Sequence, residues 1–450
     1  MIIKNAHLIT WEDENRILEN QGLYIADGKI ADIGPGPELQ ESYPQAEVVD
    51  AGGQYVMPGN ICAHTHFYGV FSRGMGIPGK APRDFPEILQ KLWWPLDMAL
   101  DEEGVRYSAL VMALDAIKNG TTTLFDHHAS PSFIEGSLDV IGEVIDDAGL
   151  RGVLCYEVTD RNGKQGARAG IDENVRFLDS GLVRNNPRLG GAFGLHASLT
   201  LSAETLDACR AAADEDVGFH IHVGEHQSDE YDSMQRSGLR VVDRLKKHGI
   251  LGPKTIVAHG VHIDAREAAL LAETGTWLTH QPRSNMNNAV GVADIEGFLR
   301  LGIPVGIGTD GFYHAMWEEW KTAYFLHKVH HRDPRRMNAM DIMQMGVRNN
   351  AALANLYLPE AQLGVIEPGA QADLIFVDYH PHTPLTAGNL PWQILFGIQE
   401  SMITSTMVAG QFLMRDRDVL TMDEEKITAE ARQLAPEIWS RYEDHVGDYS

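Results

Sequence analysis

His64 and His66 are the residues in this sequence best suited to chemistry. They close the stretch Met57-Pro58-Gly59-Asn60-Ile61-Cys62-Ala63-His64-Thr65-His66. On an extended strand, alternate side chains share a face, which sets these two imidazoles about 6–7 Å apart along the backbone. Two neutral imidazoles at one strand end make half of a Zn²⁺ site, where Zn–N distances are about 2.0–2.1 Å. Three further apolar runs end in similar chemistry: His222-Val223-Gly224-Glu225, His259-Gly260 and Gly308-Thr309-Asp310. Three imidazoles and a carboxylate form an N/O donor set suited to Zn²⁺, with Fe²⁺ as the alternative. Water on such an ion falls from a pKa near 15.7 to about 7 and becomes a nucleophile at neutral pH.

Residues so far apart in sequence need a scaffold that brings strand ends together. From Tyr55 onward, apolar strand-like runs alternate with helical patterns. The strand runs are 55–66, 121–128, 151–159, 189–196, 217–225, 255–262, 276–280 and 304–310. Alternation of this kind predicts parallel strands with crossover helices, and eight units suit a closed (β/α)₈ TIM barrel. A doubly wound sheet is the competing fold, but no Gly-x-Gly-x-x-Gly follows an early strand. Barrel active sites lie at the C-terminal strand ends, where His64, His66, His222, Glu225, His259 and Asp310 all fall. Strands 8 and 1 are neighbours in a closed barrel, as are 5 and 6.

The chain ends read differently. Strands are expected over 1–10, 22–26 and 29–34, with Asp27-Gly28 as a hairpin turn, and again over 372–378 and 404–413, with a turn at Ala409-Gly410. A terminal helix is expected over 428–442. The expected organisation is a small β-sandwich built from 1–56 and 363–450 around a barrel of 57–362.

Composition narrows the function. The 450 residues carry 37 Lys and Arg against 63 Asp and Glu, a net charge of −26. With no basic run, nucleic acid and anionic membranes are not the expected partners. Cys62, Cys155 and Cys209 lack Cys-x-x-Cys spacing, so no disulfide framework is expected and a reducing cytoplasm fits. No signal peptide and no 18-residue apolar span is evident.

These motifs, with Gly120-Thr121-Thr122-Thr123 and Ser284-Asn285-Met286, resemble the amidohydrolase superfamily from the first strands to the last. Within it the chain is similar to the branch of guanine deaminase, methylthioadenosine/adenosylhomocysteine deaminase and the triazine hydrolases, and to the SsnA-type aminohydrolases. The resemblance implies that His64, His66, His222 and Asp310 hold one metal ion. It implies that Asp310 takes a proton from the attacking water, Glu225 delivers it to a ring nitrogen, and His259 orients the water or the developing oxyanion. His196 resembles a substrate-contacting His. Asp97 stands where nucleoside-deaminating relatives carry a Glu for the sugar hydroxyls, and Arg168 resembles their carboxylate-binding Arg. Phe67 and Asn285 complete the expected substrate contacts, with Arg73, Trp93 and Trp94 as further candidates from the segment after strand 1. Strand 4 lacks the Lys that bridges two metals elsewhere in the superfamily, which favours a mononuclear site. The implied activity is hydrolytic deamination of a nitrogen heterocycle, purine-like and a free base, by a homodimer or larger homo-oligomer. Triazine dechlorination or other C–N cleavage, and a non-catalytic scaffold, are the competing readings.

Overall fold

The computed structural model describes residues 1–448. Eight parallel strands form the barrel: β1 (Asn60–Thr65), β2 (Thr121–His128), β3 (Arg151–Tyr156), β4 (Phe193–Ala197), β5 (Phe219–Val223), β6 (Ile256–His259), β7 (Trp277–His280) and β8 (Val305–Ile307). Hydrogen-bonded ladders join β1 through β3 and β4 through β8. Parallel bridges close the ring, Val158–Leu195 between the third and fourth strands and Thr65–Asp310 between the eighth and first. Every residue of β1 to β6 is buried, as expected of strands with side chains packed inside and helices outside.

The expected run 189–196 is interrupted: Leu189–Gly191 pairs with β3, and β4 begins only after Ala192. The run 55–66 is likewise two strands. Tyr55–Pro58 leaves the barrel and pairs with Ile2–Ile9 on one side and Leu374–Val377 on the other. The break falls at Gly59, where a Cβ would lie 2.3 Å from Thr122 Cγ2, so only glycine lets the chain pass this close to β2. Tyr55–Pro58 thereby joins both chain ends in one nine-stranded sheet. That sheet covers its own small core of Ile3, Leu8, Leu23, Val56, Phe376 and Met407. The Asp27-Gly28 and Ala409-Gly410 turns form as expected, with all four residues at positive φ. A helix at Gly36–Ser42 was not expected, and the terminal helix is longer than expected, Glu424–His445.

One buried ion pair ties the sheet to the barrel floor. Arg151, at the start of β3, donates from Nε to Asp373 Oδ2 at 2.6 Å and from Nη2 to Asp373 Oδ1 at 3.0 Å. Asp373 Oδ1 also accepts from the Ala409 amide at 2.8 Å. Removing one partner of a buried pair strands the other charge, a loss of about 3–5 kcal/mol. Asp373→Asn should therefore lower the free energy of urea unfolding by that amount; a loss under about 1 kcal/mol would show the pair carries no such weight.

Candidate active site

The site assembles at the C-terminal mouth of the barrel because each contributing strand ends in a polar residue after an apolar run. β1 delivers His64 and, one residue past its end, His66. β5 delivers His222, with Glu225 just beyond; β6 ends on His259; and Asp310 follows β8. The seam between β8 and β1 fixes Asp310 against the imidazoles: its N–H donates to His64 O at 3.1 Å, and His66 N–H donates to Asp310 O at 3.1 Å. Two of these residues hold backbone conformations that L-residues avoid, His259 at φ 73° and Asp310 at φ 55°. Such strain costs of order 1–3 kcal/mol and persists where the surroundings over-determine it, commonly at functional sites.

Hydrogen bonding leaves the imidazole Nε2 atoms free. His66 Nδ1–H donates to His127 O at 2.5 Å and His222 Nδ1–H donates to His196 O at 2.7 Å, so each Nε2 carries a lone pair. Those two Nε2 atoms face each other at 3.1 Å. His66 Nε2 lies 3.3 Å from Asp310 Oδ1. His64 Nδ1 engages His220 Nε2 at 2.9 Å, and His64 Nε2 is fully buried without a hydrogen-bond partner. Burial, then the surrounding imidazoles, pushes His64 and His222 well below the usual histidine range, which keeps them neutral. Acceptors aimed at one another are unfavourable without a cation between them, and the donor atoms of His64, His66 and His222 lie within 4.8 Å of one another, as do those of His64, His259 and Asp310. Outer partners on each Nδ1 are what metal-ligating histidines ordinarily have. The donor set fits a divalent cation.

Beside these donors, His259 Nε2 lies 3.4 Å from Glu225 Oε2 and 3.6 Å from Asp310 Oδ2. Its Nδ1 is 2.9 Å from Asn285 Oδ1, which fixes the ring. Burial, then the Asp310 charge, pushes the Glu225 carboxyl well above the usual carboxylate range. The group can thus carry a proton near neutral pH. Asn288 Nδ2 donates to Glu225 Oε1 at 3.4 Å.

A cavity of about 490 Å³ opens above these groups. His66, His222, Glu225 and Asp310 lie in its wall together with His196, Asp97, Arg73, Trp93 and Trp94. Three expected substrate contacts fall elsewhere. Arg168 points to solvent from the helix Gly163–Leu178, 70% exposed, and pairs with Asp172 one turn along. Phe67 is fully buried outside the cavity wall, its ring 5.7 Å from that of His314. Asn285 is buried behind His259 and reaches the site only through that imidazole. Asp97 is at the wall, but Arg161 engages both carboxylate oxygens, with 3.3 Å from Nη1 to Oδ1. Burial nonetheless raises the Asp97 carboxyl to about 7. On the helix Met316–His331, His327 is buried, its Nε2 3.2 Å from that of His280.

Two residues escaped the sequence reading. Arg161 stands seven positions before Arg168, and one-dimensional spacing cannot separate the two. Glu157 lies inside the expected third strand run. It is 1% exposed, with Oε1 at 3.3 Å from His66 Nδ1 and 3.2 Å from His127 Nδ1, and Oε2 at 3.8 Å from His196 Nε2. Burial would raise its carboxyl, but His127, then His196 and His66, outweigh it and hold it well below the carboxylate range.

A closed α/β barrel that gathers imidazoles and carboxylates at the C-terminal ends of its strands has the architecture of a metal-assisted hydrolase. The amidohydrolase family model matches residues 55–413, and the chain belongs to that family. It is 31% identical to a 5'-deoxyadenosine deaminase of Methanosarcina mazei over 98% of this chain and 99% of that one. Identity to a 5-methylthioadenosine/S-adenosylhomocysteine deaminase of Thermococcus kodakarensis is 32%, over 92% of this chain and 94% of the relative. Among solved structures, an adenosine deaminase from Xanthomonas campestris with bound zinc superposes with a TM-score of 0.84 at 24% identity, covering 98% of both chains. Among the described residues, no helix is long and apolar enough to cross a membrane.

Proposed function

We propose that this chain is a metal-dependent aminohydrolase that replaces an amine on a purine-like heterocycle with oxygen from water, releasing ammonia. The observation that carries the reading is the gathering of the unpartnered His64 Nε2, the His66 and His222 Nε2 atoms that face each other, and Asp310 beside His66, with Glu225 and His259 next to them. A divalent cation there, Zn²⁺ or Fe²⁺, would supply Lewis acidity and make water a nucleophile at neutral pH. Asp310 takes the water proton. Glu225, raised in pKa and facing the cavity, gives a proton to the ring nitrogen and then to the leaving amine. His259, held by Asn285, stabilises the charge developing on oxygen. Trp93 and Trp94 offer flat apolar faces for the ring. The test is an ammonia-release assay over aminated purines, pterins, pyrimidines and triazines. Ammonia from at least one purine-like member is expected; chloride from a chlorotriazine with no ammonia from any member would favour dechlorination instead.

Substrate size turns on Asp97. Its side chain is one methylene shorter than Glu, about 1.5 Å less reach, against a useful hydrogen-bond range of about 0.5 Å. Arg161 also occupies both of its oxygens. A sugar hydroxyl left unpaired there costs about 1–3 kcal/mol, or roughly 5- to 150-fold in kcat/KM. A free base is therefore expected to be the better substrate than its nucleoside, unlike what the relatives' names describe. Matched base and nucleoside pairs, in wild type and Asp97→Glu, measure this. A wild-type preference for nucleosides that Asp97→Glu leaves untouched would refute the role given to Asp97.

A further inference from the structure

Tyr68 is a polar side chain of the cavity wall that the deamination scheme leaves unused. It stands in the 3₁₀ turn Phe67–Ser72, two residues past His66, and is only 7% exposed. Three rings clamp its phenol. The His66 ring centroid lies 5.2 Å away, the Trp93 ring meets it edge-on at 6.4 Å, and the His128 ring edge-on at 6.3 Å. The hydroxyl takes no hydrogen-bond partner among the described residues. It is also not one of the polar atoms sealed inside the protein, so it opens to the cavity. A phenol ordinarily keeps its proton at neutral pH and can donate it in a hydrogen bond. Held by packing on three sides, this one loses little rotamer freedom when a ligand arrives, so its O–H is a pre-organised donor.

We infer that the Tyr68 hydroxyl donates a hydrogen bond to a ring acceptor of the substrate, on the flank of the reacting carbon away from Glu225; in a 6-aminopurine that acceptor is N7. The inference rests on the deamination reading and names the substrate edge that the site reads. Placement carries it. β1 and β5 lie across the eight-stranded ring from each other, and their imidazoles meet at its centre, His66 Nε2 3.1 Å from His222 Nε2. Tyr68 flanks this cluster on the His66 side. Glu225 flanks it on the side of His259, with Oε2 3.4 Å from Nε2. A flat ring with its reacting carbon over the cluster therefore turns one edge to Glu225 and the other to Tyr68. In a 6-aminopurine, C6 has N1 on one side and, through C5, N7 on the other. Glu225 gives its proton to N1, which leaves N7 for Tyr68. N7 in this form only accepts, which matches an O–H. The bond draws electron density from the ring and so favours attack of water at C6. In a free base it also selects the tautomer with its proton on N9.

The test is steady-state kinetics of the full-length wild type and Tyr68→Phe, which keeps the ring and deletes only the hydroxyl. The substrates are a 6-aminopurine and its 7-deaza and 3-deaza analogues, each with one ring nitrogen replaced by C–H, and metal content is measured on the same preparations. Tyr68→Phe should keep its metal and lose about 5- to 150-fold in kcat/KM on the parent purine, the range for one buried polar group left unpaired. The wild-type preference for the parent over the 7-deaza analogue should shrink by a similar factor in Tyr68→Phe, while the 3-deaza ratio stays the same in both enzymes. Intrinsic ring reactivity is common to the two enzymes and cancels in that comparison. Wild-type kcat/KM in Tyr68→Phe, or an equal loss on the parent and the 7-deaza analogue, would overturn the inference and leave the deamination reading standing. Ammonia from 2-aminopurines alone would do the same. A wild type that releases no ammonia from any purine would overturn both.

Discussion

His66→Ala is expected to fold, lose its metal and show no turnover above background. His66 is the hub of the donor cluster: its Nε2 lies 3.1 Å from that of His222 and 3.3 Å from Asp310 Oδ1, while its Nδ1–H is fixed on His127 O. Disturbing only the outer partner of a ligating His typically costs 10–100-fold in metal affinity, and deleting the ligand removes more than that. Folding should survive, because His66 lies past the end of β1 at the cavity wall and the strand's own ladder to β2 does not include it. Elemental analysis after gel filtration, paired with circular dichroism, separates the outcomes. Native-like protein that keeps its full metal content would remove His66 from the ligand set.

The barrel was legible because its strands are apolar runs buried on both faces, bounded by helical periods. β2 forms over the expected residues, Thr121–His128, all buried. The imidazole ends of these runs were legible for a related reason: a polar residue closing an apolar strand has few structural uses. What periodicity could not show was where one extended run changes sheets. Residues 55–66 are continuous in pattern, and only the close approach of Gly59 to Thr122 marks the corner. Side-chain contacts after a strand end were the least legible. Arg161 and Arg168 are both basic residues of the same segment, but one meets Asp97 in the cavity wall and the other sits a helix turn from Asp172 in solvent. Phe67 follows His66 directly, but it opens a 3₁₀ turn over Phe67–Ser72, and its ring packs near His314 outside the cavity wall. Glu157 stayed hidden because its meaning lies in partners from three other strands, His66, His127 and His196.

Glu225→Gln is expected to keep the metal and lose about 10²–10⁴-fold in kcat, the range for a missing general acid–base group. The geometry separates it from the donors: Glu225 Oε2 is near His259 Nε2 at 3.4 Å, and Oε1 accepts from Asn288 at 3.4 Å. The donor atoms of His64, His66 and His222 lie within 4.8 Å of one another, as do those of His64, His259 and Asp310, and Glu225 belongs to neither group. Gln preserves the shape and can still meet Asn288, so the binding of a ring should change little, and the loss should fall on kcat more than on KM. The raised pKa gives the prediction a second edge. Burial and the Asp310 charge favour the protonated carboxyl, and Gln cannot give up or recover that proton as the amine leaves. Asp310→Asn should be at least as damaging, since Asp310 faces both the donor cluster at His66 and the catalytic pair at His259. Measuring kcat, KM and metal content on the same preparations decides between roles. If Glu225→Gln came out metal-free, Glu225 would be a ligand; if it turned over at the wild-type rate with metal in place, the proton would travel by another residue.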